Sequence, residues 1–171
     1  MANLIYRNRE TTLWFVPAAA AQAETAAFEM HNIAASAGRQ SAQYDLGEGA
    51  VSGWYEWRAF VQFATTPVLG ETVDFYLKTA GSSASATAHP DNDDGTTSAA
   101  VSAADKLKNL QWIGSIVVDE AAADVEMVAS GYVFIAARAF NVVMWNASVD
   151  ALTNDVDENG FMLSPVPDEI Q

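Results

Sequence analysis

The stretch Trp54-Tyr55-Glu56-Trp57-Arg58-Ala59-Phe60-Val61-Gln62-Phe63 decides the fold class of this chain. At a spacing of two residues it divides into two rows. One row is apolar throughout and consists of Tyr55, Trp57, Ala59, Val61 and Phe63. The other row is mixed and consists of Trp54, Glu56, Arg58, Phe60 and Gln62. This pattern is typical of a strand with one face in a core and the other partly in water.

A second alternating run follows after a link that contains Pro67 and Gly70. Its apolar row is Val73, Phe75 and Leu77, and its mixed row is Thr72, Asp74, Tyr76 and Lys78. Two such runs joined by a short Pro/Gly link predict neighbouring antiparallel strands in one sheet.

Further strand patterns occur along the chain. They cover residues 13–16, 25–33, 41–46, 111–119, 125–135, 138–146 and 160–164. In the run 111–119, Trp112, Ile116 and Val118 are expected to line one apolar face. Gly131 predicts a bulge or bend. Residues 80–97 are rich in Gly, Ser, Ala and Thr, which predicts an exposed loop.

One helix start is visible, with Ser102 as the N-cap and Asp105 three residues later, and it supports one or two turns. The prediction is therefore an all-β chain, a jelly-roll-like β-sandwich of about eight strands with at most one short helix. Residues 1–12 are expected to form an N-terminal arm or edge strand. Residues 13–171 are expected to form a single β-sandwich domain.

Composition restricts the classes of partner. The chain has 171 residues, of which 22 are acidic and 8 basic, and its formal net charge is −14. Such a surface repels DNA, RNA and anionic lipid, so we expect no nucleic-acid and no membrane partner. No secretory signal or membrane-spanning run is evident, and the chain contains no cysteine.

Metal sites are weakly indicated. Asp155, Asp157 and Asn159, followed by Gly160, match the first half of a calcium loop, but the closing position holds Val166 instead of glutamate. A polar hairpin loop explains the same residues. His31 and His89 lack metal-ligand spacing, so no cofactor or metal is predicted.

Two carboxylates and two aromatic residues on the mixed rows of the central runs are candidate site residues. Glu56 and Asp74 could form the acid pair of a sandwich-type glycosidase. Trp54 and Tyr76 could instead form a platform for sugar rings. An ordinary solvated sheet face carries the same residue types, so no catalytic residue is assigned and no enzyme is expected.

The charges are unevenly distributed. Residues 119–171 contain ten acidic residues and one basic residue, whereas the first ten residues contain two arginines and one glutamate. A basic, partly apolar arm on an acidic body could dock on a neighbouring subunit. The expected contacts are Leu4, Ile5, Tyr6, Arg7 and Arg9.

Residues 138–146, the turn at 159–161 and the segment 163–167 resemble the small β-sandwich virion proteins of tailed bacteriophages. The resemblance implies a non-enzymatic head decoration, or cement, protein, which is often trimeric. Such a protein binds across junctions of the major capsid protein and stabilises the capsid. It implies manufacture in the host cytoplasm and residence in the virion. The alternative is a carbohydrate- or receptor-binding module of a phage tail or fibre, with Trp54 and Tyr76 as glycan contacts.

Overall fold

The computed structural model describes residues 11–47, 53–80 and 95–166, which form two β-sheets packed as a sandwich. The strands of the described residues are β1 (Leu13–Val16), β2 (Ala26–Ala27), β3 (Ala37–Gln40), β4 (Tyr44–Asp45), β5 (Trp54–Val61), β6 (Thr72–Ala80), β7 (Ala99–Val101), β8 (Gln111–Val117), β9 (Met127–Phe134), β10 (Ala139–Asn146) and β11 (Gly160–Pro165). A single turn of 3-10 helix, Ala104–Leu107, lies between β7 and β8. Within these ranges, no helix has the length and apolar character needed to cross a membrane.

The strand order is that of a jelly roll. Sheet A has the order β2-β1-β11-β5-β9, and sheet B has the order β7-β3-β10-β6-β8, with β4 also pairing with β10. When the three shortest strands, β2, β4 and β7, are set aside, two antiparallel four-stranded sheets remain, β1-β11-β5-β9 and β3-β10-β6-β8. Along the chain, these eight strands alternate between the two sheets, except that β6 and β8 belong to the same sheet. The predicted jelly-roll-like sandwich is confirmed.

The predicted pairing of the two central runs is wrong. β5 lies between β11 and β9 in sheet A, whereas β6 lies between β10 and β8 in sheet B. Residues 62–71 cross from one sheet to the other. The apolar rows therefore face each other across the core, and the rings of Trp57 and Phe75 have centroids 6.3 Å apart. An apolar row needs to be buried, but its alternation does not specify whether a neighbouring strand or the opposite sheet buries it.

The indole of Trp57 is buried in the core, where it stacks on Phe161 at a centroid distance of 6.1 Å and an interplanar angle of 7°. Two glycines leave room for this indole. A Cβ atom at Gly114 of β8 would stand 2.4 Å from Trp57 Cζ2, and one at Gly131 of β9 would stand 2.7 Å from Trp57 Nε1. The predicted bulge at Gly131 is wrong, because β9 pairs with β5 in unbroken register through this residue. Gly131 accommodates a large neighbour instead.

Trp112 does not lie on the buried face of β8. The register with β6 pairs Gly114 with Phe75 and Trp112 with Tyr76, which leaves Ile113 as an extra, bulged residue. The bulge reverses the side on which Trp112 projects, and its side chain is 60% exposed. Ile116 and Val118 are buried as expected.

The short segments differ in detail from the predictions. The N-cap of the 3-10 helix is Ala103 and forms no side-chain capping bond, so the expected capping role of Ser102 is wrong. Of the expected strand 25–33, β2 comprises Ala26–Ala27 alone. Of the expected strand 41–46, β4 comprises Tyr44–Asp45 alone, and β3 was not predicted. Residues 1–10 and 81–94, which carry most of the expected arm and loop, lie outside the described residues.

The outer face of sheet B is partly covered by its own chain. Segment 101–110 lies over β10, where Val101 and Leu107 pack with Val143 and Trp145. Every residue of β10 is buried. Its inner side faces the sandwich core, and Val143 and Trp145 on its outer side are covered by this second cluster. The outer face of sheet A is different, because several of its large apolar side chains are exposed.

Candidate functional site

Four exposed apolar side chains project from the outer face of sheet A, where β5 and β9 pair. We call this set the aromatic face, and it consists of Trp54 (47% exposed), Val128 (43%), Tyr132 (67%) and Phe134 (48%). The alternation of both strands places these side chains opposite the buried rows of the same strands. Exposed apolar patches of this kind mark interaction sites on folded proteins.

The register of β5 with β9 arranges the aromatic face in rows. Trp54 is paired with Phe134, and Glu56 is paired with Tyr132. In the next two rows, Arg58 is paired with Ser130 and Phe60 with Val128. A carboxylate and a guanidinium therefore lie between two apolar ends of the face.

The end of the face at Trp54 is held by main-chain hydrogen bonds. The rings of Trp54 and Phe134 have centroids 5.4 Å apart and are tilted by 59°. A Cβ atom at residue 53 would stand 2.5 Å from the Phe134 ring, so glycine is required for this ring to lie against the chain. The Ile135 N–H donates to the Gly53 carbonyl at 2.8 Å, and the Val166 N–H donates to the Trp54 carbonyl at 2.9 Å. The two aromatic side chains therefore project from firmly paired backbone.

The connection from β8 to β9, which we call the acidic border, leads into the aromatic face at Val128. Residues 118–126 carry Asp119, Glu120, Asp124 and Glu126 and no basic residue. Of these, Asp124 donates its N–H to the Phe63 carbonyl at 3.1 Å, which ties this connection to the end of β5. β9 is also an edge strand of sheet A, since it pairs with β5 alone in the sheet order.

Trp54 and Tyr76, the expected pair of glycan contacts, lie on opposite faces of the sandwich. Trp54 projects from sheet A and Tyr76 from the outer side of sheet B, where it packs beside Leu110 against the cluster over β10. The two side chains cannot contact one sugar. Glu56 and Asp74 are separated in the same way, so the structure does not bring the two carboxylates of a glycosidase together.

Tyr76 and Asp74 instead lie in a second feature, a groove of about 450 Å³ over the outer face of sheet B. Its lining consists of Asp74, Tyr76, Ala104, Leu107, Lys108, Leu110, Trp145 and Ala147. Burial raises the pKa of the Tyr76 phenol, and the negative charge of Asp74 adds to the increase. The Asp74 carboxylate accepts a short hydrogen bond from the Ser115 hydroxyl.

The side-chain oxygens of the calcium half-motif accept hydrogen bonds from main-chain N–H groups. Asp155 Oδ1 accepts from the Asp157 N–H at 2.9 Å, and Asp157 Oδ1 accepts from the Ala21 N–H at 2.7 Å. Asn159 is buried, and its Oδ1 accepts from the Gln62 N–H at 3.1 Å. Across the described ranges, no three His, Asp or Glu side chains are grouped so that they could hold a metal ion.

The remaining expected site residues are divided between surface and undescribed positions. His31 Nδ1 lies 3.3 Å from Glu29 Oε2 on a partly exposed surface. Leu4, Ile5, Tyr6, Arg7, Arg9 and His89 lie outside the described residues. The sequence interpretation missed Tyr132, Phe134 and Trp145. The alternation of apolar and polar residues in β9 and β10 indicates which way these side chains project. It does not indicate which other residues lie beside them, because that depends on the strand partners.

Comparison with protein-family models found no match to this sequence. Comparison with curated proteins also found no match.

Proposed function

We propose that this chain is a non-enzymatic structural protein of a tailed-bacteriophage virion, a head decoration or cement protein that attaches to the shell through its aromatic face. The observation that carries the proposal is the grouping of Trp54, Val128, Tyr132 and Phe134 on one sheet face. The sequence resemblance to small virion proteins supplies the biological setting. The protein is made in the host cytoplasm and resides in the virion.

The aromatic face has the chemistry of a protein contact. Trp and Tyr are enriched among the side chains that contribute most to binding, because they bury a large area with few rotatable bonds. Removing apolar surface from water contributes roughly 25 cal/mol per Å² before the costs of association are subtracted. Glu56 and Arg58 lie within the face, and their opposite charges favour one orientation of the partner.

The charge of the chain favours a basic partner surface over a second copy at this face. The formal net charge is −14, and the border before β9 carries four carboxylates without a basic residue. Two such borders repel each other, whereas basic side chains around an apolar patch attract them. The partner of the aromatic face is accordingly proposed to be the major capsid protein. Homo-oligomers, with a trimer favoured, would use other surfaces.

The N-terminal arm is proposed as a second contact with the shell. Leu4, Ile5 and Tyr6 offer apolar area, and Arg7 and Arg9 offer the only positive charges in the first ten residues. The jelly-roll fold is compatible with this role, since viral capsid and lectin domains both use it. Fold alone does not choose between these functions.

The test uses shells assembled from the major capsid protein of the phage whose genome encodes this chain. We expect the wild-type protein to co-sediment with the shells and to raise their melting temperature. The double variant Trp54→Ser/Phe134→Ser should lose both effects. Trp112→Ser is the matched control, because Trp112 is also exposed, to 60%, but projects from β8 of sheet B.

Retention of shell binding by the double variant would overturn the docking role of the aromatic face. A chain that lacks residues 2–10 tests the arm separately. Unchanged binding by that chain would remove the arm from the proposal and leave the aromatic face in place. Binding of the wild-type protein should weaken with added salt, because the proposed border contacts are between exposed charges.

A further inference from the structure

The groove over sheet B is built from three parts of the chain. Its floor is formed by neighbouring strands, with Asp74 and Tyr76 on β6 and Trp145 on β10. Register pairs Trp145 directly with Asp74. The wall is the 3-10 helix and the residues that follow it, which contribute Leu107 and Lys108. The groove is distinct from the aromatic face, which projects from the opposite sheet.

Polar groups in the groove remain available for a ligand. The Asp74 carboxylate accepts one hydrogen bond, from Ser115. In the part of the chain that the structure describes, the Tyr76 hydroxyl and the Lys108 ammonium form no hydrogen bond or ion pair. A carboxylate, a phenol and an ammonium therefore line one groove together with aromatic and leucine side chains.

We infer that this groove binds a neutral oligosaccharide. Sugar hydroxyls both donate and accept hydrogen bonds, so they can donate to Asp74, accept from Lys108 and do either with Tyr76. The C–H faces of a sugar ring are apolar, and in this groove they pack on Tyr76 and Leu110, which are partly exposed. Trp145 and Leu107 lie beneath them in the buried cluster. The volume of about 450 Å³ lies in the range of small-molecule sites and suits one or two sugar rings.

The charges in the groove favour a neutral ligand. A cationic ligand would be attracted by Asp74 but repelled by Lys108, and an anionic ligand would experience the reverse. An anion would also approach a protein whose formal net charge is −14. A neutral sugar can form hydrogen bonds with both Asp74 and Lys108 and is repelled by neither charge. Hydrogen bonds to charged groups are stronger than those between neutral groups.

The experiment titrates the full-length protein with neutral gluco-, xylo-, galacto- and chito-oligosaccharides at up to millimolar concentration, followed by calorimetry and ligand-observed NMR. We expect at least one of them to bind. Asp74→Asn and Lys108→Met should each weaken that binding by about tenfold, since each removes a charge-assisted hydrogen bond. Tyr76→Phe should weaken it less, because it keeps the ring and loses one neutral hydrogen bond.

Trp54→Ala is the control on the opposite sheet, and it should leave sugar binding unchanged. Near-ultraviolet circular dichroism verifies that each variant is folded. The inference is overturned if none of these sugars binds, or if the groove variants bind as the wild-type protein does. Tighter binding of choline or of a sialylated glycan would also overturn it. None of these results bears on shell attachment, which uses sheet A.

Discussion

Trp54 on β5 and Phe134 on β9 are register partners, and their ring centroids lie 5.4 Å apart on the exposed side of sheet A. The pair joins two strands that are far apart in sequence. Its rings are about half exposed, so they remain accessible to a partner. The pairing of β5 with β9 therefore places Trp54 and Phe134 side by side in one exposed aromatic surface.

The Trp54–Phe134 contact should be measurable in the isolated protein. Aromatic pairs contribute about 0.5–1.5 kcal/mol beyond their buried area, and exposure places this pair at the lower end. A double-mutant cycle with Trp54→Ala and Phe134→Ala, followed by urea denaturation, should give a coupling free energy of about 0.5 kcal/mol. The Trp54→Ala and Tyr132→Ala cycle is the control, because Tyr132 is paired with Glu56. Equal coupling in both cycles would contradict a specific ring contact.

Gly131→Ala should destabilise the fold. The new methyl group would stand 2.7 Å from Trp57 Nε1, and the indole is confined on other sides by Gly114 and Phe161. Overpacking of a core typically costs about 1–3 kcal/mol in the free energy of unfolding. Ser130→Ala is the matched control on the exposed side of the same strand, and we expect it to change stability by less than about 0.5 kcal/mol. A variant at residue 131 as stable as the wild type would show that Trp57 has room to move.

Asn146→Asp tests a buried hydrogen-bond network at the end of β10. Asn146 Nδ2 donates to the Asp150 carbonyl at 2.8 Å, and Asn146 Oδ1 accepts from the Ser148 hydroxyl at 2.7 Å. An ionised carboxylate would place an acceptor against that carbonyl and a charge in a buried site. We expect a loss of about 3 kcal/mol or more at neutral pH, measured by urea denaturation.

Part of this loss should be regained at low pH, because the protonated carboxyl is neutral and can donate one hydrogen bond. Asn109→Asp introduces the same charge at an exposed position and should have little effect at either pH. Similar stabilities of the two variants at neutral pH would contradict the proposed role of the Asn146 network.

The raised pKa of Tyr76 predicts a loss of stability in alkali. The unfolded chain releases this phenolic proton near the ordinary pKa of 10.0, whereas the folded chain retains it to higher pH. The folded state therefore binds more protons in that window. Stability from this source is fully present below pH 10.0 and is lost as the pH rises through the folded pKa.

NMR titration of ring-labelled tyrosine, with Tyr76→Phe to assign the signal, measures this pKa directly. Asp74→Asn should lower the pKa of Tyr76 partway towards its ordinary value, because burial is the larger cause and remains. A Tyr76 signal that titrates at or below the ordinary value would refute the partial burial of the phenol. An unchanged pKa in Asp74→Asn would refute the electrostatic contribution of Asp74.

The sequence predicted the direction in which the candidate site residues project, but not which of them lie on the same face. Alternation showed that Trp54 and Tyr76 project away from the core, and the structure places both on outer faces. It could not show that the faces are opposite, because the pattern carries no information about which sheet a strand joins. Tyr132 and Phe134 joined Trp54 only through the pairing of β5 with β9. Leu107 and Trp145 lie beside Tyr76 because segment 101–110 packs over β10.

The sequence by itself determined the all-β class, the buried row from Tyr55 to Phe63 and the exposed position of Trp54. Each follows from the geometry of a single strand, in which successive side chains alternate between two environments. The tertiary structure decided that β5 faces β6 across the core, that a bulge at Ile113 turns Trp112 outward, and that Gly131 makes room for Trp57. These features depend on contacts between residues distant in the chain, and steric fit between those residues selects them.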